Sequence, residues 1–221
     1  MIPLCEKYKP ECFADIKGQD IAILKIKLFI KKFPTKRALM LYGSTGAGKT
    51  SLAYALAKET KSEILELNAS DFRDRDSMKN IMGQASSQAS LFVKNKILLI
   101  EEVDGLSKDD KGGLLELLTL IDKTSFPIII TANKIWDSKF STLRKKAELL
   151  EIKELNYRDI FNIIEGIAKK ENLNLTKDIL TSIAIRAKGD VRAAINDLQT
   201  INIETKIEDI GERDKEEKIF D

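Results

Sequence analysis

The chain has 221 residues, 33% of them charged and 43% hydrophobic, with a formal net charge of +2. This is the profile of a soluble globular protein with one large domain, or a core and a small companion. It contains no histidine, which excludes Ser-His-Asp and Cys-His catalysis and every His-containing metal site. Cys5 and Cys12 lie outside any CxxC pattern and read as reduced thiols. No apolar run is long enough to span a bilayer, so no membrane partner is expected.

Met1 to Glu6 lacks a basic segment followed by an apolar core, so no signal peptide is expected and the cytoplasm is the expected compartment. Glu6-Lys7-Tyr8-Lys9-Pro10 and Asp15-Ile16-Lys17-Gly18-Gln19 read as an irregular arm punctuated by proline and glycine. Residues 21–33 are a mostly apolar helical stretch that stops before Pro34.

Leu39-Met40-Leu41-Tyr42 is a buried strand by its run of apolar residues, and Ser51 to Lys58 is an Ala/Leu-rich helix. Between them, Gly43-Ser44-Thr45-Gly46-Ala47-Gly48-Lys49-Thr50 fits the phosphate-loop pattern G-x-x-x-x-G-K-[ST] at every fixed position. A strand feeding a glycine loop that opens a helix aims backbone N–H groups and the positive end of the helix dipole at one point. In that arrangement Lys49 reaches the β and γ phosphates, and the Thr50 hydroxyl ligates Mg²⁺. Gly43 to Ser51 are therefore candidates for binding a nucleoside triphosphate.

Ile64 to Asn68 alternates as a strand. Asp76 is placed to cap a helix with Met78, Ile81, Met82 and Ala85 on one face. Such a stripe is ordinarily core. Arg73, Arg75 and Lys79 lie at or before its start, where phosphates are often met, although Asp71, Asp74 and Asp76 dilute their charge.

Lys96 to Ile100 is the next buried strand and runs into Glu101-Glu102-Val103-Asp104. Acids at the end of an apolar strand suit a second phosphate-site motif, in which one carboxylate orders the Mg²⁺ shell and the other polarises the attacking water. Glu101 stands where the usual motif has Asp, and Glu102 takes the catalytic position. Ser107-Lys108-Asp109-Asp110 resembles a capping box opening a leucine-rich helix to Ile121. Phe126 to Thr131 is a fourth strand followed by Ala132-Asn133, and Leu149 to Ile152 a fifth. Asn133 is placed to hydrogen-bond the water and the γ-phosphate; by itself it would be a common turn residue. Strands alternating with helices give a parallel three-layer α/β sheet with its site at the C-terminal strand ends.

After Glu154 the period changes. Asn156, Thr176 and Asp190 each precede an apolar stripe of helical spacing, and Gly189 suits a helix C-terminus. Arg192 lies in the first turn of the third helix, where a cation opposes the dipole; this points to an anion contact. The expected organisation is an α/β nucleotide-binding core over 1–153, an all-α lid over 154–203 and a charged tail over 204–221. That tail holds eight acidic and four basic residues, leaving about +6 for the remainder and weakly favouring an anionic partner.

Phosphate loop, strand-end acids, Asn133 and Arg192 together resemble the AAA+ ATPases. The arm, Leu67-Asn68-Ala69-Ser70-Asp71, Ile100-Glu101-Glu102-Val103-Asp104-Gly105-Leu106, Thr131-Ala132-Asn133 and Gly189 to Gln199 resemble the clamp loaders among them. Gly211-Glu212-Arg213-Asp214 with Ile219-Phe220-Asp221 is similar to the archaeal replication factor C large-subunit family. The resemblance covers nearly the whole chain.

It implies ATP and Mg²⁺ as cofactors, and ATP-dependent loading of a sliding clamp (PCNA) onto primed DNA during replication, in a hetero-oligomer with small subunits. It places Tyr8, Pro10 and Ile16 near adenine and makes Asn133 and Arg192 the first and second sensors. Met78, Ile81 and Met82 would face the clamp. Arg73, Arg75, Lys79, Lys108 and Lys111 would track the DNA backbone, giving salt-sensitive binding without base readout.

Phe140-Ser141-Thr142-Leu143-Arg144-Lys145-Lys146 lacks the Ser-Arg-Cys motif by which small subunits act on a neighbour's ATP. A partner is therefore expected to be needed for full ATPase activity. The chain also stops before the family's collar, as a truncated piece or half of a split subunit would. Two other readings stay open: another AAA+ remodeller of DNA or protein, such as a Holliday-junction motor, and an ATP-gated assembly module with weak hydrolysis.

Overall fold

The computed structural model describes residues 2–68, 95–106 and 111–201. Among these are five strands: β1 (Ala38–Tyr42), β2 (Glu63–Asn68), β3 (Lys96–Glu101), β4 (Ile128–Ala132) and β5 (Glu148–Glu151). The helices are α1 (Leu4–Lys7), α2 (Asp20–Lys32), α3 (Lys49–Thr60), α4 (Lys111–Lys123), α5 (Ser141–Lys146), α6 (Tyr157–Lys170), α7 (Lys177–Arg186) and α8 (Val191–Thr200). The chain divides into two compact units, Pro10–Lys153 and Met1–Lys9 with Glu154–Asp221.

The α/β unit is a parallel sheet in the order β2-β3-β4-β1-β5. The inner strands read as continuous apolar runs because both faces are covered. On one face, Met40, Leu98, Ile100 and Ile130 pack with Leu117, Leu120 and Ile121 of α4 and Leu143 of α5. On the other, Leu39, Leu41, Leu99 and Ile129 pack with Ile26 and Phe29 of α2 and Leu52 and Leu56 of α3. Alternate residues of one strand point to opposite faces, so each strand feeds both cores. The result is the three-layer architecture expected from the sequence.

Several element ends fall one or two residues from expectation. β4 begins at Ile128, since Pro127 has no N–H to add to the ladder, although its carbonyl accepts from Leu98 N at 3.0 Å. β5 is shifted one residue earlier. α2 ends at Lys32 with Phe33 as its cap, and α4 runs to Lys123, two residues past expectation, while the expected capping box at Ser107 to Asp110 lies outside the described residues. The expected helix after Asp76 and the tail from Glu204 lie outside the described residues.

In the helical unit, Ile160, Ile164, Ile183, Ala194 and Leu198 form a core of side chains no more than 1% exposed. Each large aliphatic group buried this way contributes about 1.5–3 kcal/mol. The expected boundary kept residues 1–153 together, but Met1–Lys9 groups with this unit instead. Leu4 enters the helical core, Leu4 N donates to Gln199 Oε1 at 2.8 Å, and Cys5 Sγ donates to Asn196 Oδ1 at 3.1 Å. A four-residue helix carries no period to announce such long-range contacts.

Candidate nucleotide site

Gly43 leaves β1 with φ at 148°, its N–H donating to Ala132 O at 3.3 Å. A Cβ there would stand 2.2 Å from Ile152 O, so the loop can pass the end of β5 only as glycine. Gly46 and Gly48 have φ of 72° and 93°, in the left-handed region that glycine adopts without strain. Gly48 is the N-cap of α3, and no side chain caps that helix start. Its first N–H groups therefore face the loop as an anion site. Ala47 is buried, Thr45 is exposed, and Ser51 lies half-buried in the first turn of α3. Ser44 Oγ is buried and has no hydrogen-bond partner, which suits a loop that wraps a phosphate.

Lys49 Nζ turns back into this loop, donating to Gly43 O at 2.8 Å, Ser44 O at 2.9 Å and Asn133 Oδ1 at 2.8 Å. The end of β4 is thereby brought to the ammonium of the phosphate loop. Asn133 was expected to address water and γ-phosphate, and in this arrangement it holds Lys49.

Thr50 Oγ1 donates to Glu101 Oε1 at 2.6 Å, so the expected metal pair meets across the start of α3 and the end of β3. Burial pushes the Glu101 carboxyl above the usual carboxylate range; the Thr50 hydrogen bond opposes the rise, and Glu66 and Glu102 add to it. A hydroxyl and a carboxylate oxygen are donors that Mg²⁺ accepts. Among the described residues no group of three His, Cys, Asp or Glu side chains is placed to hold a metal ion by itself. A Mg²⁺ here would thus be bound with phosphate and water oxygens completing its shell, as is usual for this ion.

Glu102 turns off the strand at φ 51°, a conformation uncommon for a side chain other than glycine, Asn or Asp. Its N–H donates to Thr131 Oγ1 at 3.1 Å and its O accepts from Gly105 N at 2.8 Å, which fix the turn. Glu102 is exposed beyond the end of β3, whereas Glu101 is half-buried.

One brace was not assigned a role from the sequence. Gln19, only 6% exposed, donates to Ala47 O at 3.3 Å and Lys153 O at 2.8 Å, tying the phosphate loop to the chain after β5. Its only signal was its place in the Ile16-Lys17-Gly18-Gln19 box. Arg144, in the stretch that lacks Ser-Arg-Cys, donates to Ile135 O and Asp137 O and stacks 5.5 Å from the Trp136 ring centre. It is engaged within its own unit.

The three residues expected near adenine divide between the units. Tyr8 belongs to the helical unit, where its hydroxyl donates to Glu171 and Lys170 Nζ lies 5.5 Å from its ring centre. Pro10 and Ile16 belong to the α/β unit, and Ile16 packs on the α3-side core. Arg192 is exposed in the first turn of α8 of the helical unit. Lys111 opens α4. Arg73, Arg75, Met78, Lys79, Ile81, Met82 and Lys108 lie outside the described residues. No helix among the described residues is long and apolar enough to cross a membrane.

Residues 39–153 match the ATPase family associated with various cellular activities (AAA). Residues 162–203 match the RCF1/5-like AAA+ ATPase lid domain. The replication factor C large subunit of Thermofilum pendens is 42% identical over 100% of this chain and 56% of its own length. That of Nanoarchaeum equitans is also 42% identical, over 99% of this chain and 53% of its own. The chain thus spans about half the length of these relatives. Among solved structures, a RuvB mutant of Thermotoga maritima superposes with a TM-score of 0.70 at 19% identity, covering 87% of this chain and 65% of that one.

Proposed function

The chain belongs to the ATPase family associated with various cellular activities, and from that premise we propose that it binds ATP with Mg²⁺ as the ATPase part of a clamp-loader large subunit. The observation that carries the nucleotide reading is the convergence of Lys49 with Asn133 and of Thr50 with Glu101 at the C-terminal ends of β1, β3 and β4. In a parallel α/β sheet this is where ligands bind.

In this reading the α3 N-terminus and the loop N–H groups hold the β and γ phosphates, and Lys49 neutralises them. Thr50 and Glu101 would hold Mg²⁺, which would supply positive charge against the negative charge on the phosphoryl oxygens. Glu102 orients and accepts a proton from the attacking water. Asn133 fixes the Lys49 ammonium, and Pro10 and Ile16 are the α/β unit's contacts to the base. Loading of a sliding clamp onto primed DNA, with small subunits as partners, is supported by the 42% identity to replication factor C large subunits along the whole chain.

Phosphoryl transfer in related hydrolases gains about 10³–10⁵ in rate from an arginine finger. With Arg144 held on backbone carbonyls, the finger is assigned to a small subunit. The test is ATP turnover by the purified chain alone and with archaeal small subunits whose own phosphate-loop lysines are removed. Strong stimulation that disappears when the small subunit's Ser-Arg-Cys arginine is replaced supports the reading. Full-rate turnover by verified monomer overturns the partner requirement. ATP-dependent assembly without turnover in any mixture would favour the assembly-module reading, in which Glu101 in place of Asp impairs hydrolysis.

A further inference from the structure

Glu101 carries one methylene more than the Asp common at its position, and with it one more torsion to fix. The neighbouring strand and the phosphate-loop helix supply groups that restrict it. In the β2–β3 ladder Glu66 is opposite Leu99 and Asn68 is opposite Glu101. Residues two apart on a strand share a face, so Glu66 and Glu101 are diagonal neighbours on one face, within reach of two long side chains. Ile64 and Leu99 of that face pack in the core covered by α3, together with Tyr54.

Tyr54 lies four residues after Thr50, one turn further along the same side of α3. Its hydroxyl donates to Glu66 Oε2 at 2.5 Å, while Thr50 donates to Glu101 Oε1 at 2.6 Å. The Glu66 carboxyl is a neighbouring acid of Glu101 and pushes its carboxyl up. One helix therefore holds two adjacent strands through two hydroxyl donors, Tyr54 to Glu66 and Thr50 to Glu101. Burial and the Glu66 contact push the Tyr54 hydroxyl up to about 12, so it remains a donor throughout the neutral range.

We propose that Tyr54 and Glu66 are positioning residues that hold the longer Glu101 side chain against Thr50. This rests on the reading of Thr50 and Glu101 as the metal pair. Groups behind a metal ligand commonly affect metal affinity about 10–100-fold.

The test uses Mn²⁺ as a paramagnetic stand-in, its affinity for the ATP-bound chain read by electron paramagnetic resonance, with ATP affinity in EDTA measured beside it. Tyr54→Phe keeps the ring in the core and removes only the hydroxyl. It is expected to weaken Mn²⁺ about tenfold, with metal-free ATP affinity changed less than about twofold. Glu66→Gln is expected to act in the same direction. In a Glu101→Asp background, where one torsion fewer needs restraint, the Tyr54→Phe effect should shrink below about twofold, a coupling that a general packing defect would not produce. Parent-like Mn²⁺ affinity in both variants, with Thr50→Ala losing it, overturns the positioning role and leaves the metal reading intact. Parent-like affinity in Thr50→Ala as well removes the metal reading, and the proposal with it.

Discussion

The three long helices of the helical unit each begin under a side chain of their own sequence. Asn156 Oδ1 accepts from the Arg158 and Asp159 N–H groups, Thr176 Oγ1 from Ile179 N, and Asp190 Oδ1 from Ala193 N. In the α/β unit, α3 begins at Gly48 with no side-chain cap, in a loop whose buried Ser44 hydroxyl also lacks a partner. A helix start leaves four N–H groups without intrahelical acceptors. The helical unit satisfies some of them internally and gains stability, whereas the phosphate loop keeps them for an anion. The difference locates where ligand chemistry is possible: polar groups spared from the fold's own hydrogen bonding mark the site.

The largest effect that sharpens this comparison belongs to the exposed acid at the end of β3. Glu102→Gln is expected to lower ATP turnover about 10²–10⁴-fold, the usual worth of a general base, with ATP affinity nearly unchanged. Single-turnover hydrolysis beside equilibrium binding separates the two. Should Glu101→Gln stop turnover while Glu102→Gln spares it, the roles of the two acids are reversed.

A core truncation probes the other unit. Ile164 is fully buried on α6, and Ile164→Ala is expected to cost about 2–5 kcal/mol through lost transfer energy and the cavity left behind. Amide hydrogen exchange should quicken across α6, α7 and α8 while β1, β3 and β4 keep their protection. Equal loss of protection in both units would break the division between them.

The smallest effect is electrostatic. Hydrogen bonds from Lys7 and Tyr8 hold the Glu171 carboxyl below the usual range. A depressed acid contributes stability that is present above its unfolded value, about 4.3, and lost as pH falls through its lower folded value. Lys7 and Tyr8 are raised chiefly by the same contact. Their contribution is present below their unfolded values and lost as pH rises through the higher folded ones. Because Lys7 is exposed and Tyr8 and Glu171 are only half-buried, the effect is small. Glu171→Gln should flatten the acid limb of a melting-temperature profile below about pH 5; an unchanged acid limb would show that the contact contributes nothing.

Much of the fold was legible because its signals are local. Apolar runs gave the strands, a fixed glycine pattern gave the loop, and Asn156, Thr176 and Asp190 announced helices by cap chemistry. Lys49 with Asn133 and Thr50 with Glu101 were named from separate motifs, and the sheet order brings each pair within hydrogen-bond distance. What escaped depends on contacts remote in sequence. Leu4 belongs to the helical unit through a partner 195 residues away, and Gln19 braces a carbonyl 134 residues on. Glu66 read as an alternating strand residue, since strand register alone makes it a neighbour of Glu101.

The central claim, that this chain binds ATP through the phosphate loop, is tested most directly by calorimetric titration of ATP with Mg²⁺ into the parent chain and Lys49→Ala. Lys49 bridges the loop carbonyls and Asn133, and its replacement removes the main cation from the phosphate site. The account predicts saturable binding by the parent and none measurable by the folded variant. Near-parental ATP affinity in Lys49→Ala would contradict it.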